Sequence, residues 1–311
     1  MHFYVLGIGI EPTSTAKHPP QISWLHTAFH EAVAEAFGTF ILILLGTGSG
    51  GGRLTGSIAD DWETGTMWSI GIISGTYGCG FVSGAHMNPA ISIAMVVAGY
   101  MPLWKIFHYT LGQLIGGIAA SALVYTFYYD FLDENLASFH NGSIESAYLQ
   151  NSGIFSCKLH TNVSTWRGVY IEAVLTGLLV IVVSFVGDPY SILKKYPFVS
   201  PFIIALFVGG LISSFGSLTS ACLNPIRDLS PRIVMFFFGW GESAFPGIDN
   251  RNKFWIFILG PMIGGVVGSL FWKMLGSYLY EYSAKQRSLL QMNSTSTDES
   301  RLLENDHLYF S

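Results

Sequence analysis

Six apolar runs, each close to the length that crosses a bilayer, alternate with polar stretches along the chain. They lie at about 28–48, 66–82, 103–127, 168–187, 199–215 and 254–277, and about 20 apolar residues suffice for a spanning helix. Residues 1–27 are polar and proline-broken, and the stretch from about Ser283 is rich in Ser, Thr, Asp and Glu. The pattern predicts cytosolic tails at 1–27 and 281–311, the second disordered, around a membrane domain at 28–280. Two more stretches, "SGAHMNPAISIAMVVAG" and "TSACLNPIRDLSPRIVMFFFG", are too short to cross and too apolar for ordinary loops. Each reads as a loop that dips into the membrane and turns into a short helix at its Asn-Pro. Proline breaks what precedes it and suits the first helical position.

The two halves repeat each other. Glu35 opens "EAFGTFILILLG" and Glu172 opens "EAVLTGLLVIVV"; Asn88 follows the first by 53 residues and Asn224 the second by 52. "LGQLIGGIAAS" (111–121) likewise matches "LGPMIGGVVGS" (259–269). Repeat one occupies about 28–127 and repeat two about 168–280, joined by a long external loop at 128–167. Each holds three spans and one re-entrant segment. Three is odd, so the second half enters from the opposite face as an inverted repeat. The expected fold is an all-α membrane protein: six transmembrane helices plus two re-entrant half-helices that meet near the midplane.

Composition agrees with a membrane protein. Half of the 311 residues are hydrophobic and 11% are charged, against about 25% charged in soluble domains. The net charge of -5 carries no nucleic-acid footprint. Cys79, Cys157 and Cys222 are too few and too scattered for a disulfide framework. Lys and Arg fall on both sides, so the positive-inside bias is weak. The sequons Asn141-Gly-Ser and Asn162-Val-Ser place the long loop outside and both termini in the cytosol. Asn141, farther from the membrane, is the better acceptor of a glycan.

Non-helical backbone at membrane depth is tolerated where it is buried or lines a wet cavity. The carbonyls of Gly84, Ala85 and His86, and of Ser220, Ala221 and Cys222, therefore read as acceptors along a pore. Two half-helix N-termini, each worth about half a positive charge, would face each other at its centre with the Asn88 and Asn224 amides. That arrangement repels cations and breaks proton relay. Arg227 is costly near a bilayer centre unless it faces water.

Bland readings compete at several positions. The repeat-equivalent placing of Glu35 and Glu172 favours acceptors that hold the re-entrant loops over proton-relay carboxylates. His86 reads as a loop anchor rather than a protonation gate. Cys222 is either a pore thiol open to mercurials or a packed one. "GTGSGG" (46–51) follows a span rather than a strand, which excludes a nucleotide loop. HExxH and GxSxG are absent, so no enzyme, cofactor or metal is expected. In the tail, Asp298 with Leu302-Leu303 fits an acidic dileucine sorting signal, and "STSTDES" offers phosphate acceptors.

"SGAHMNPA" together with "NPIRDLSPR" resembles the paired signature of the major intrinsic protein family, the aquaporins, and the likeness covers about 28–280. Asp228 after Arg227, "WETGTMW", "LVYTFYYD" and the inserted "GWGESAF…NRNKFW" are similar to the glycerol-conducting branch, the aquaglyceroporins. The resemblance implies a homotetramer in the cell membrane with one pore per subunit. Each pore would pass glycerol, water and similar small neutral solutes, urea among them. It assigns Asn88-Pro89-Ala90 and Asn224-Pro225-Ile226 to the pore centre, and Trp68, Ile212, Ala221 and Arg227 to the selectivity filter. It also adds Asp228 to Glu35 and Glu172 as loop supports. Ala221 stands where this branch often has an aromatic, which widens the filter. Ile226 replaces a small residue, which adds bulk near the midplane. A strict water channel is the nearest alternative, opposed by Ile212 and Asp228. An ion-coupled secondary transporter would need a second pair of intramembrane charges, and a structural junction protein would leave Arg227 unexplained.

Overall fold

The computed structural model describes residues 23–137, 151–188, 191–245 and 253–308. The regular elements among them are all helical: α1 (Trp24–Thr55), α2 (Asp61–Ser83), α3 (Pro89–Ala98), α4 (Lys105–Phe127), α5 (Tyr129–Ala137), α6 (Thr165–Gly187), α7 (Ser200–Thr219), α8 (Pro225–Met235) and α9 (Ile256–Leu308). Among the described residues, α1, α4, α6, α7 and α9 contain stretches long and apolar enough to cross a membrane. The sixth long helix, α2, is less apolar because it opens on Asp61 and Glu63 and carries five glycines. Its 23 residues still extend about 34 Å, past the roughly 30 Å of hydrocarbon. Its hydroxyls bond its own carbonyls, Ser69 to Gly65 at 2.9 Å and Thr76 to Ile72 at 2.7 Å.

Elements α1–α4 of the first half correspond to α6–α9 of the second, and small residues set their packing. A Cβ at Gly112 or Gly116 of α4 would strike the carbonyls of Ala32 or Ala36 on α1. At Gly264 and Gly268 of α9 it would strike those of Ala173 and Gly177 on α6. Spacing of four residues puts such glycines on one helix face, where backbones then approach closely. Across the halves, Gly65 of α2 and Gly209 of α7 each abut the other's carbonyl. Ser69 seals this crossing by donating to the carbonyl of Ala205 at 2.8 Å.

Two expectations need correction. First, α1 runs from Trp24 to Thr55, beyond 28–48 at both ends. Its "GTGSGG" segment is helical because the missing side chains at Gly50 and Gly51 admit the Ile154 carbonyl and the Tyr128 ring. Close packing there outweighs poor glycine propensity. Second, the tail expected to be disordered continues α9 to Leu308. After Gly276 the described chain contains neither Gly nor Pro, so nothing stops the helix. The part from Phe271 forms a unit separate from the compact one that ends at Leu270. The described part of the loop at 128–167 carries structure of its own. It contains α5 and buries Phe155, Cys157, Leu159 and Val163. Asn162 is exposed, three residues before α6, whereas Asn141 lies outside the described residues.

Candidate functional site

Both Asn-Pro segments enter the helical bundle as strained loops. The non-glycine residues with positive φ among the described residues are Ala85 (53°), Met87 (49°), Ser220 (64°), Ala221 (43°) and Leu223 (59°). Gly84, the C-cap of α2, adds 85°. All lie just before Asn88 or Asn224, at equivalent places in the two repeats. The left-handed region costs L-residues about 1–3 kcal/mol each, so surrounding groups must hold it. Two fully buried carboxyl groups do so. Glu35 on α1 accepts the backbone N–H of His86 (2.9 Å) and Met87 (2.7 Å). Glu172 on α6 accepts those of Cys222 and Leu223, both at 2.9 Å. Ser83 and Gln113 donate to Glu35 as well, at 2.6 and 2.7 Å. His86 pairs its Nδ1 with Ser92 Oγ at 3.1 Å, and its ring lies 4.9 Å from that of Tyr109.

Each Asn then caps a half-helix and reaches across to the other loop. The Asn88 carbonyl oxygen accepts from Ala90 N at 2.9 Å, and that of Asn224 from Ile226 N at 3.0 Å. Pro89 and Pro225 occupy the first helical positions, where a missing N–H costs nothing. One amide N–H of Asn88 donates to the Leu223 carbonyl at 2.8 Å, and one of Asn224 to the Met87 carbonyl, also at 2.8 Å. An asparagine amide carries two N–H donors, so each keeps a second.

Two neighbouring cavities lie here, sharing Gly84, His86, Met95 and Val183 in their walls. The central one is lined by both asparagines and all four expected filter residues, Trp68, Ile212, Ala221 and Arg227. Arg227 stacks its guanidinium 4.5 Å from the Trp68 ring centroid. Its Nη1 is buried without a hydrogen-bond partner among the described residues. The result is an apolar wall with the Arg227 guanidinium beside it. Gly84, Ala85, His86, Ala221 and Cys222 also line this cavity.

Other candidates lie off it. Ser220 is not among the lining residues; it caps α7, and its Oγ accepts Lys158 N at 2.9 Å. Pro89, Ala90, Pro225 and Ile226 are buried behind the axis. The expected bulk of Ile226 is taken up by Gly117 on α4, which has no Cβ where the Ile226 Cγ2 methyl packs. Asp228 faces away as well, bonding Cys157 N at 2.7 Å and Arg232 Nε at 2.8 Å.

Sequence reasoning missed Arg232 and Gly46. Arg232 is 1% exposed and also bonds the carbonyls of Ala244 and Cys157, at 2.9 and 2.8 Å. Its signal was the four-residue spacing from Asp228 on one short helix. Gly46 of α1 lies against the Trp68 ring, and a Cβ there would collide with three ring carbons. A Gly46→Ala variant should therefore push Trp68 into the conduit. Overpacking of this kind costs about 1–3 kcal/mol. Glycerol flux should fall several-fold, and water flux less, in stopped-flow light scattering. Unchanged glycerol flux in a folded variant would show that Trp68 does not bound the path.

Known proteins resemble this chain in sequence and fold. Residues 23–272 match the family model for major intrinsic proteins. The chain is 30% identical over 253 residues to the glycerol uptake facilitator protein of Escherichia coli, covering 80% of this chain and 89% of that one. It is 32% identical over 244 residues to the glycerol uptake facilitator protein of Pseudomonas aeruginosa, covering 78% and 86%. In structure it is similar to the aquaglyceroporin from Plasmodium falciparum, with a TM-score of 0.73 and 25% identity over 82% of this chain and 99% of that one.

Proposed function

The chain belongs to the major intrinsic protein family, and from that premise we propose how its conduit selects what passes. The protein is a multi-pass membrane channel of the aquaglyceroporin branch, passive for glycerol and similar small neutral solutes. The observation that carries the selectivity is the Arg227 guanidinium stacked on Trp68, with Ile212 and Ala221 in the same wall. A polyol has a carbon face and a hydroxyl face. The carbon face lies along Trp68 and Ile212, while hydroxyls accept from the Arg227 guanidinium beside them. At the centre, the second N–H donors of Asn88 and Asn224 each receive a solute oxygen. A water held by both donates outward only, so a proton wire is interrupted there. The half-helix N-termini add positive potential against cations.

Glu35 and Glu172 act as loop supports. Neither is among the residues lining the conduit, and both are occupied by backbone donors, which disfavours ion coupling. Outward-facing Phe107, Leu206 and Phe237 suit a lipid surround. The wider reading follows the family: a homotetramer in the cell membrane, one conduit per subunit, both termini cytosolic, and urea and water among the solutes. Stopped-flow comparison of proteoliposomes tests it. Vesicles carrying the protein should shrink fast in sucrose and re-swell fast in glycerol. Glycerol flux at the lipid background would return the chain to the strict water class, and flux that needs an ion gradient would make it a transporter.

A further inference from the structure

Cys157, Cys222 and Asp228 place their two sulfurs and a carboxylate oxygen within 4.8 Å of one another, all buried. A metal ion suits the cluster poorly. Both Asp228 oxygens are committed to Arg232 and to Cys157 N, and the Arg232 guanidinium would repel a dication. What remains is a pair of free thiols facing each other.

The backbone holds that pair in register. Cys157 is clamped from both sides, its N–H by Asp228 and its carbonyl by Arg232. Cys222 is fixed by its N–H to Glu172, and its thiol donates to the Asn224 carbonyl at 3.4 Å. Only Cys222 lines the central cavity; Cys157 stands behind it. Cys222 therefore stands between the conduit and Cys157, with the second thiol placed to resolve whatever forms on the first.

We propose that Cys222 and Cys157 are a hydroperoxide-reactive thiol pair that closes to a disulfide and restricts the channel. The oxidant is hydrogen peroxide, a small neutral solute that fits the conduit as water does. Cys222 Sγ attacks one peroxide oxygen; the S–O bond forms, the O–O bond breaks, and the departing hydroxide takes the thiol proton as water. Cys157 Sγ then attacks the Cys222 sulfur. The S–S bond forms, the S–O bond breaks, and hydroxide leaves with the Cys157 proton as a second water. Two thiols lose two electrons, and one peroxide becomes two waters. Closure must bring sulfurs from within 4.8 Å to about 2.0 Å. Because Asp228 and Arg232 anchor Cys157, the strained Ser220–Leu223 loop makes much of that move, carrying the Ala221 and Cys222 carbonyls out of line.

The flux consequence rests on the solute-channel reading; the bond itself does not, so the two are read separately. The full chain in proteoliposomes is treated with hydrogen peroxide, digested without reduction, and mapped by mass spectrometry, with glycerol flux measured in parallel. A linked peptide joining Cys157 and Cys222, short of two hydrogen atoms, should appear and vanish with dithiothreitol. Flux should drop several-fold and recover with it. In Cys157→Ser, basal flux is retained, peroxide forms no link, and Cys222 stops at a sulfenic acid that dimedone traps. Cys79→Ser should respond like the parent. Absence of the linked peptide from oxidised parent protein overturns the pair. A linked peptide with unchanged flux overturns the restriction.

Discussion

A Glu172→Ala variant should lose glycerol flux altogether and denature far below the parent. Glu172 is 0% exposed and accepts from Cys222 N and Leu223 N. Its removal leaves two buried N–H groups without acceptors, at about 1–3 kcal/mol each. It also releases the left-handed Ser220, Ala221 and Leu223, which then relax toward ordinary backbone. A few kcal/mol is a large share of the roughly 5–15 kcal/mol that keeps most folds intact. Glu172→Gln keeps one carbonyl acceptor but turns an amide toward the other donor, so it should fall between. Thermal denaturation in detergent with proteoliposome flux measures both effects. Parental flux in well-folded Glu172→Ala would remove the carboxyl group from any supporting role.

The second large effect concerns the buried pair Asp228–Arg232. Both side chains are 1% exposed and joined by two hydrogen bonds, at 2.8 and 3.0 Å. Breaking such a pair from one side strands a buried charge and costs about 3–5 kcal/mol. Asp228→Ala should be the worse single change, because it also frees Cys157 N and lets go of the 157–163 segment. Arg232→Met leaves the Cys157 and Ala244 carbonyls unanswered but fills the volume. The double variant Asp228→Leu/Arg232→Met should be more stable than Asp228→Ala, since apolar replacement of a buried pair is often near neutral. Denaturation of the double variant, Arg232→Met and an Asp228→Leu single variant closes the cycle that measures the coupling. Simple additivity would mean that the pair does not act as a unit.

Much of this architecture could be read from residues that the membrane forbids to be casual. Hydropathy marked the spanning stretches because lipid imposes both length and composition. Glu35 and Glu172, at matching distances before Asn88 and Asn224, marked the repeat and the two loops. What escaped depends on which neighbour lies opposite. The glycines of "GTGSGG" look like a helix end until Ile154 and Tyr128 are known to press on them. Ile226 looks like an obstruction until Gly117 is seen to receive it. Ser220 looks equivalent to Gly84, yet the loop that joins the two halves draws it toward Lys158. The helix beyond Ser283 was hidden by composition, since many polar residues there are adequate helix formers. Arg232 escaped because two of the acceptors on which its donors are spent, the Cys157 and Ala244 carbonyls, lie outside its own helix.

The exchange between the two asparagines also fixes the order of biogenesis. Asn88 bonds the Leu223 carbonyl 135 residues later, and Asn224 bonds the Met87 carbonyl 137 residues earlier. While the first half is inserted and the second is still being translated, the Met87 carbonyl and one Asn88 amide hydrogen lack these partners. At roughly 5–20 residues per second, the wait is on the order of ten seconds. Unpaired backbone groups at membrane depth cost several kcal/mol each unless water reaches them, so the nascent first loop lacks two of the bonds that hold its final shape. A chain cut before Leu223 keeps that deficit permanently. The conduit is completed by the half made second, and the first loop, held until then by Glu35, gains its two cross-bonds only then.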